Sequence, residues 1–359
     1  MSKRSYAVAH LRQLCCLGTD SHVIMPSLLG ALHAIIPSVS NSFYWTDEDE
    51  DIADAFQEHV IPKAMDVFFA KLPNLFADPA VVSISAAAAA KKVTGNLRHP
   101  PPATYRSDLY QSVLRPHQCH YALDALVLDR NTVLGAVVLW RSEFDRDFSS
   151  SDEAILSSLV PYIRHALSPP ASKQLALATS TSKRHGLVVC DRYGRAEFLS
   201  KTARELLYWA ARDARVVGPS GCEAMSVPPP AIVALCHRLD AAFQGQECGV
   251  PALHHRNQWG DFIFRAYWLE SEADPVNGRI GIVVERREPL VVRIADNLRE
   301  RALSPMQSEV GHRVAQGMSN ESIAKDLSIS VTTVRDHLDR IYQKLNVYTR
   351  ADLVKTLTE

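Results

Sequence analysis

Hydrophobic spacing divides this chain into three blocks. In the first, His10 to Cys16 and Ile24 to Ile36 carry apolar positions at helical spacing. A short aromatic run, Phe43-Tyr44-Trp45, comes next, and then DEDEDIAD (47–54), which reads as a solvated polar segment. YALDALVLDRNTVLGAVVLWRS (121–142) is two apolar runs around Asp-Arg-Asn and predicts a β-hairpin. FSSSDEAILSSLVPYIRHAL (148–167) predicts a helix. Ser149 to Ser151 offer caps, Asp152 and Glu153 sit in the first turn, and Leu156, Leu159, Val160, Ile163 and Leu167 make one face, with Pro161 inside it as a source of a kink.

Prolines, serines and threonines then take over, so 169–184 reads as a linker between a first domain, 1–168, and a second, 185–289. The second opens on GLVVCDRYGRAEFLS, a strand, a turn and a strand, followed by the helical KTARELLYWAARDA. Further strands are predicted at 251–256, 261–269 and 279–286, with turns at Asn257–Gly260 and Asn277-Gly278. Hairpin-paired strands with helices grouped between them predict antiparallel α+β domains.

From 290 onward the spacing is helical: a connecting helix within 290–302, then a compact block, 303–359. Ser304 and Gln307 form a capping-box pattern around Pro305, and Gly317 suits a helix end. Ser319 caps a short helix with Ile323, Ala324 and Leu327 facing inward, and Ser330 caps the next. In that helix Val334, Leu338, Ile341 and Leu345 form one stripe. Thr332, Asp336, Asp339 and Gln343 lie opposite, flanked by Arg335 and Arg340. A short helix, a tight turn and a polar-faced helix make a helix-turn-helix, whose second helix enters a major groove.

The stretch LSPMQSEVGHRVAQGMSNESIAKDLSISVTTVRDHLDRIYQKLNVYTRADLV resembles the DNA-binding domain of LuxR-type (GerE-like) regulators. Pieces such as Glu309-Val310, Ala315-Gln316-Gly317, Ile323-Ala324, Thr333-Val334-Arg335, Lys344-Leu345 and Arg350-Ala351 fall in register with that family. The resemblance implies an all-α domain of four helices. Its third helix reads double-stranded DNA, and its last helps pair two protomers. It assigns Arg335 to phosphate or base, Thr332 and Thr333 to phosphates and Lys344 to the backbone, with Asp336, Asp339 and Arg340 facing the groove. Two positions depart from the family. Gly311 stands where a large apolar residue is usual, and Arg313 where leucine is frequent.

Charge narrows the picture. Net charge is −1 over 359 residues, and from Asp296 to the end nine basic residues meet nine acidic ones. Binding by bulk positive charge is thereby excluded, so a local reading element has to supply any affinity. The two aspartates oppose phosphates but can accept from cytosine amino groups, a route to selectivity. No apolar run approaches the roughly 18 residues of a membrane span, and the N-terminus has no signal-peptide pattern. Seven irregularly spaced cysteines fit a reducing cytoplasm.

The first domain loosely resembles GAF-type sensors through LGAVVLWRSEFDRDFSSSDEAILSSL. The second loosely resembles PAS-type folds through GLVVCDRYGRAEFLSKTARELL. Aromatics suited to a ligand pocket gather in the first: Tyr44, Trp45, Phe56, Phe68, Phe69, Tyr105 and Tyr110. Cys236-His237, Cys248 and His254-His255 fit no standard zinc spacing, and Cys15-Cys16 reads as a pair of small core residues. No phosphate loop, HExxH or GxSxG motif points to an enzyme, and no cofactor is expected. The expectation is a homodimeric transcription regulator on an inverted repeat, controlled by a small effector. The alternative is a constitutive regulator whose sensor-like domains serve assembly.

Overall fold

The computed structural model describes residues 3–47, 52–58, 93–107, 110–130, 132–167, 179–180, 185–211, 230–244, 251–269, 278–301 and 303–358. Phe68, Phe69, Cys248 and Asn277 lie outside these residues.

Two helices open the chain, α1 (Lys3–Cys15) and α2 (Ser21–Leu32), the second capped by the Asp20 side chain. Cys15 is buried, but Cys16 is exposed just past the end of α1, so the adjacent pair splits between core and surface. Strands β1 (Ser40–Thr46), β2 (Ile52–Gln57), β3 (Tyr121–Asp129) and β4 (Thr132–Arg141) form an antiparallel sheet in the order β2-β1-β4-β3. The expected hairpin is β3–β4, with Arg130 in left-handed backbone at its turn. The end of DEDEDIAD is not solvated. Asp54 is buried on β2 and accepts a 2.6 Å hydrogen bond from Gln258 Nε2. Helix α3 (Ser150–Leu167) follows, and Ser149 and Asp152 cap each other at its start.

The second sheet comprises β6 (His185–Cys190), β7 (Ala196–Leu199), β8 (Ala252–Asn257), β9 (Gly260–Leu269) and β10 (Arg279–Pro289), in the order β7-β6-β10-β9-β8. Within the linker stretch, Thr179–Ser180 form a short β5 that pairs with the end of β10. Helices α4 (Lys201–Ala211) and α5 (Pro230–Phe243) join β7 to β8. The hydrophobic core is continuous across both sheets. An aromatic seam closes it. Trp259, at the β8–β9 turn, meets Trp209 of α4 at 4.6 Å, Trp45 of β1 at 5.6 Å and Phe56 of β2 at 6.2 Å, centroid to centroid.

Helix α6 (Leu290–Glu300) begins where β10 ends. Four helices follow: α7 (Pro305–Ala315), α8 (Asn320–Leu327), α9 (Val331–Leu345) and α10 (Arg350–Thr358), around a separate core. Helix α6 serves both cores. Val291, Val292 and Ala295 belong to the sheet core, while Ile294 and Leu298 belong to the C-terminal one. No helix among the described residues is long and apolar enough to cross a membrane.

Candidate nucleic-acid interface

Local chemistry sets the C-terminal helices. Ser304 and Gln307 complete the capping box of α7, each side chain satisfying the other's backbone N–H. Gly317, at φ +83°, ends α7 with paired bonds from Gly317 N to Val314 O and from Met318 N to Arg313 O. Ser319 caps α8 through Ser322 N. Ser328 turns the chain in left-handed backbone, φ 55°, with the same paired bonds back to Lys325 and Ala324. Ser330 then caps α9 by accepting from Thr333 N at 3.0 Å. The Ser-Ile-Ser interruption is therefore one helix end, one buttress and one helix start.

Helix α9 buries Val334, Leu338 and Ile341. Its outer face exposes Thr332, Arg335, Asp336, Asp339, Arg340 and Gln343 in one array. The other residues named from the sequence behave differently. Thr333 is half-buried, and its hydroxyl lies 2.8 Å from Ser330 Oγ within the cap. Lys344 is exposed but donates to Gln307 Oε1 at 3.1 Å, which ties α9 to the start of α7. In the first turn of α8, Glu321 has its carboxyl held below the usual range, chiefly by its own backbone N–H, then by the Ser319 hydroxyl, with the positive charge of Arg335 adding a further pull.

The two departures from the family have partners. Arg313 forms ion pairs with Glu309 one turn back and with Asp326 of α8, at 2.5 Å for the latter. Gly311 admits Leu298 of α6, since a Cβ at 311 would lie 2.9 Å from Leu298 Cδ2. Sequence reading missed other supports. Asn297 donates to Leu357 O at 2.9 Å and Arg301 to Thr356 O at 2.8 Å, so the α6 region satisfies the last carbonyls of α10. Arg350 bonds Met318 O and Asn320 Oδ1, holding α10 against the α7–α8 turn.

The geometry is that of a helix-turn-helix with its polar face open, and the residues 301–357 match the family model for bacterial regulatory proteins of the luxR family. Residues 301–357 are a LuxR-family helix-turn-helix domain. The chain is also similar to NarL of Mycobacterium tuberculosis, named a transcriptional regulatory protein: 39% identity over 71 residues, 18% of this chain and 33% of NarL. It resembles the HTH-type transcriptional regulator MalT of Vibrio cholerae, 35% identical over 142 residues, 34% of this chain and 16% of MalT. The chain thus spans no more than a third of either relative's length. A solved GAF domain/HD domain protein from Geobacter sulfurreducens aligns over 42% of this chain and 93% of its own, at 17% identity and a TM-score of 0.29.

The aromatics proposed for a ligand divide by sheet face. Phe43, Trp45 and Phe56 point into the seam, where Trp45 stacks on His22 at 4.1 Å and Phe56 on Trp209 at 4.6 Å. Tyr44, their alternate on β1, is buried and bonded by Gln57. Tyr105 stacks on His120, and Tyr110 Oη lies 2.5 Å from His120 Nδ1. Tyr110 and His120 line a shallow cleft with Arg115, Cys119, Ser142 and Glu143. The described members of the cysteine–histidine set do not converge. Cys236 is buried in α5, while His254 and His255 are exposed on β8.

Proposed function

We propose that this chain is a DNA-binding transcription regulator. Its LuxR-type domain, the LuxR domain hereafter, reads the major groove through α9, and its two antiparallel-sheet blocks, GAF-like over 1–168 and PAS-like over 185–289, govern that reading. The observation that carries the proposal is the open face of α9. Thr332, Arg335, Asp336, Asp339 and Arg340 are all exposed on a helix whose opposite stripe is buried and whose start is capped. Thr332 and Arg335 supply phosphate and base contacts, and the aspartates select against bases that offer no donor. Lys344 reaches the backbone from the end of the helix, and Thr333 contributes through the cap.

The working unit is a homodimer in the cytoplasm, on an inverted repeat whose half-sites lie about one DNA turn, roughly 34 Å, apart. A small effector acts through the first block, and the cleft beside Tyr110 and His120 is the better placed of the two aromatic groups because it opens to solvent. Such an effector works only through different affinities for the DNA-competent and incompetent arrangements. A constitutive regulator is the second reading, favoured by the packing of Trp45 and Phe56 into the core.

Selection of bound duplexes from a random pool by the full-length protein tests the proposal. The expected result is an enriched inverted repeat that Arg335→Ala fails to recover and whose base preference Asp336→Ala changes. An Arg335→Ala protein that enriches the same repeat would refute the assignment of α9. Effector-dependent change in affinity for that repeat would separate the two readings.

A further inference from the structure

Among the described residues, nine large apolar side chains are exposed, and four of them share one face of the second sheet: Leu187, Phe198, Tyr267 and Leu269. Exposed apolar residues scattered singly are ordinary, whereas a contiguous patch marks an interaction site. Strand register makes this set contiguous. Phe198 pairs with Val189, Val189 with Gly281, and Gly281 with Tyr267, a row across four strands. In the next row Leu187 pairs with Val283. Paired residues point to the same side of a sheet, so both rows face away from the core. Leu269 leans over Gly281, with Cδ1 only 3.0 Å from where a Cβ would stand, and so carries the apolar surface across β10.

Charge frames the patch at both ends. Arg279 Nε bonds Glu197 Oε2 at 2.7 Å at one end of β10. Toward the other, Arg265 Nη1 bonds Glu285 Oε1 at 2.6 Å, with His185 at 3.5 Å. Each end holds a base and an acid. A two-fold rotation about the middle of the patch exchanges the ends, so opposite signs can meet and like signs need not. A surface complementary to itself is what an isologous dimer requires. The centre of the patch is also continuous with the LuxR domain. Its middle strand, β10, runs directly into α6, and α6 carries Ile294 and Leu298 into the core of that domain.

We propose that a second copy of this chain covers this face, joining two molecules sheet to sheet about a two-fold axis. This deepens the reading of the chain as a paired DNA binder, and rests on that reading for its consequence: the same axis would relate the two α9 helices.

Sedimentation of the full-length chain over a concentration series tests it. Wild type is expected to sediment as a dimer. Phe198→Asp/Tyr267→Asp is expected to self-associate at least tenfold more weakly with unchanged circular dichroism and melting. If that variant misfolds, the single change Leu269→Lys gives the same reading. Tyr348→Asp, at an exposed aromatic of the LuxR domain, is expected to stay dimeric. A monomeric wild type, a folded face variant that remains dimeric, or dissociation by Tyr348→Asp would overturn the proposal. Arg335→Ala is expected to bind DNA more weakly and keep the dimer, so failure of pairing and failure of reading are told apart.

Discussion

Ser328 shows what single residues decide here. Its left-handed backbone, φ 55°, makes the tight turn between α8 and α9, and a side chain in that conformation costs about 1–2 kcal/mol. Ser328→Gly is expected to stabilise the LuxR domain by about 0.5–1 kcal/mol without changing DNA preference, as a melting curve would show. His312 carries a pH dependence. It is buried in α7 with Nε2 unbonded, and burial, helped by Arg313, holds its imidazole down at about 4. The unfolded chain therefore takes up the proton first as pH falls. Stability from this residue is complete above about pH 6.5, is lost progressively toward pH 4, and levels off below it, by up to about 3 kcal/mol. His312→Leu is expected to flatten that slope in unfolding curves taken between pH 7 and pH 4. At this scale the sequence was readable wherever the interaction was local: the Ser304–Gln307 box, Gly317 and Ser330 each act within a few residues. The Arg313–Asp326 ion pair and the Lys344–Gln307 bond were not readable, because the partners lie 13 and 37 residues apart.

Among the elements, α6 is the one whose role depends on what packs against it. Its sequence shows an amphipathic connecting helix, but nothing in it says that two apolar sides serve two cores. Gly311 then appears as a weak spot in α7, since glycine costs a helix about 1 kcal/mol. Its compensation is Leu298, which occupies the space that a side chain at 311 would need. Gly311→Leu is expected to destabilise the LuxR domain by about 1–3 kcal/mol through overpacking, and adding Leu298→Ala to recover part of that loss. Chemical denaturation of the three variants beside wild type measures both effects. If the double variant is no more stable than Gly311→Leu alone, the pairing of 298 with 311 is not what limits the site. Strands and helices with strong periodicity, such as β3–β4 and α9, stood clear in the sequence. The acidic segment misled because Ile52-Ala53-Asp54 is too short to show a period, and the burial of Asp54 depends on Gln258 some 200 residues away.

At the scale of the molecule, the two sheets behave as one body because the aromatic seam crosses between them. Trp259 is buried at its centre. Trp259→Ala is expected to cost about 3–5 kcal/mol and to lower the melting of both sheets together, not of the second alone. Composition marked the blocks but could not reveal this joint, since aromatic residues suit a ligand pocket and a core equally well. The LuxR domain connects to that body through α6 and through α1, where Gln13 Nε2 donates to Ser308 O at 3.4 Å and His10 lies 3.2 Å from Asp296. With as many acidic as basic residues from Asp296 onward, bulk charge adds nothing to the proposed DNA reading, which therefore rests on a few placed contacts, Arg335 foremost among those proposed. The most direct measurement is the affinity of full-length wild type and Arg335→Ala for the selected duplex over a salt series. The expected result is weaker binding by the variant and a log–log salt slope shallower by about 1, the mark of one lost phosphate contact. Equal affinity and equal slope for the two proteins would contradict the account.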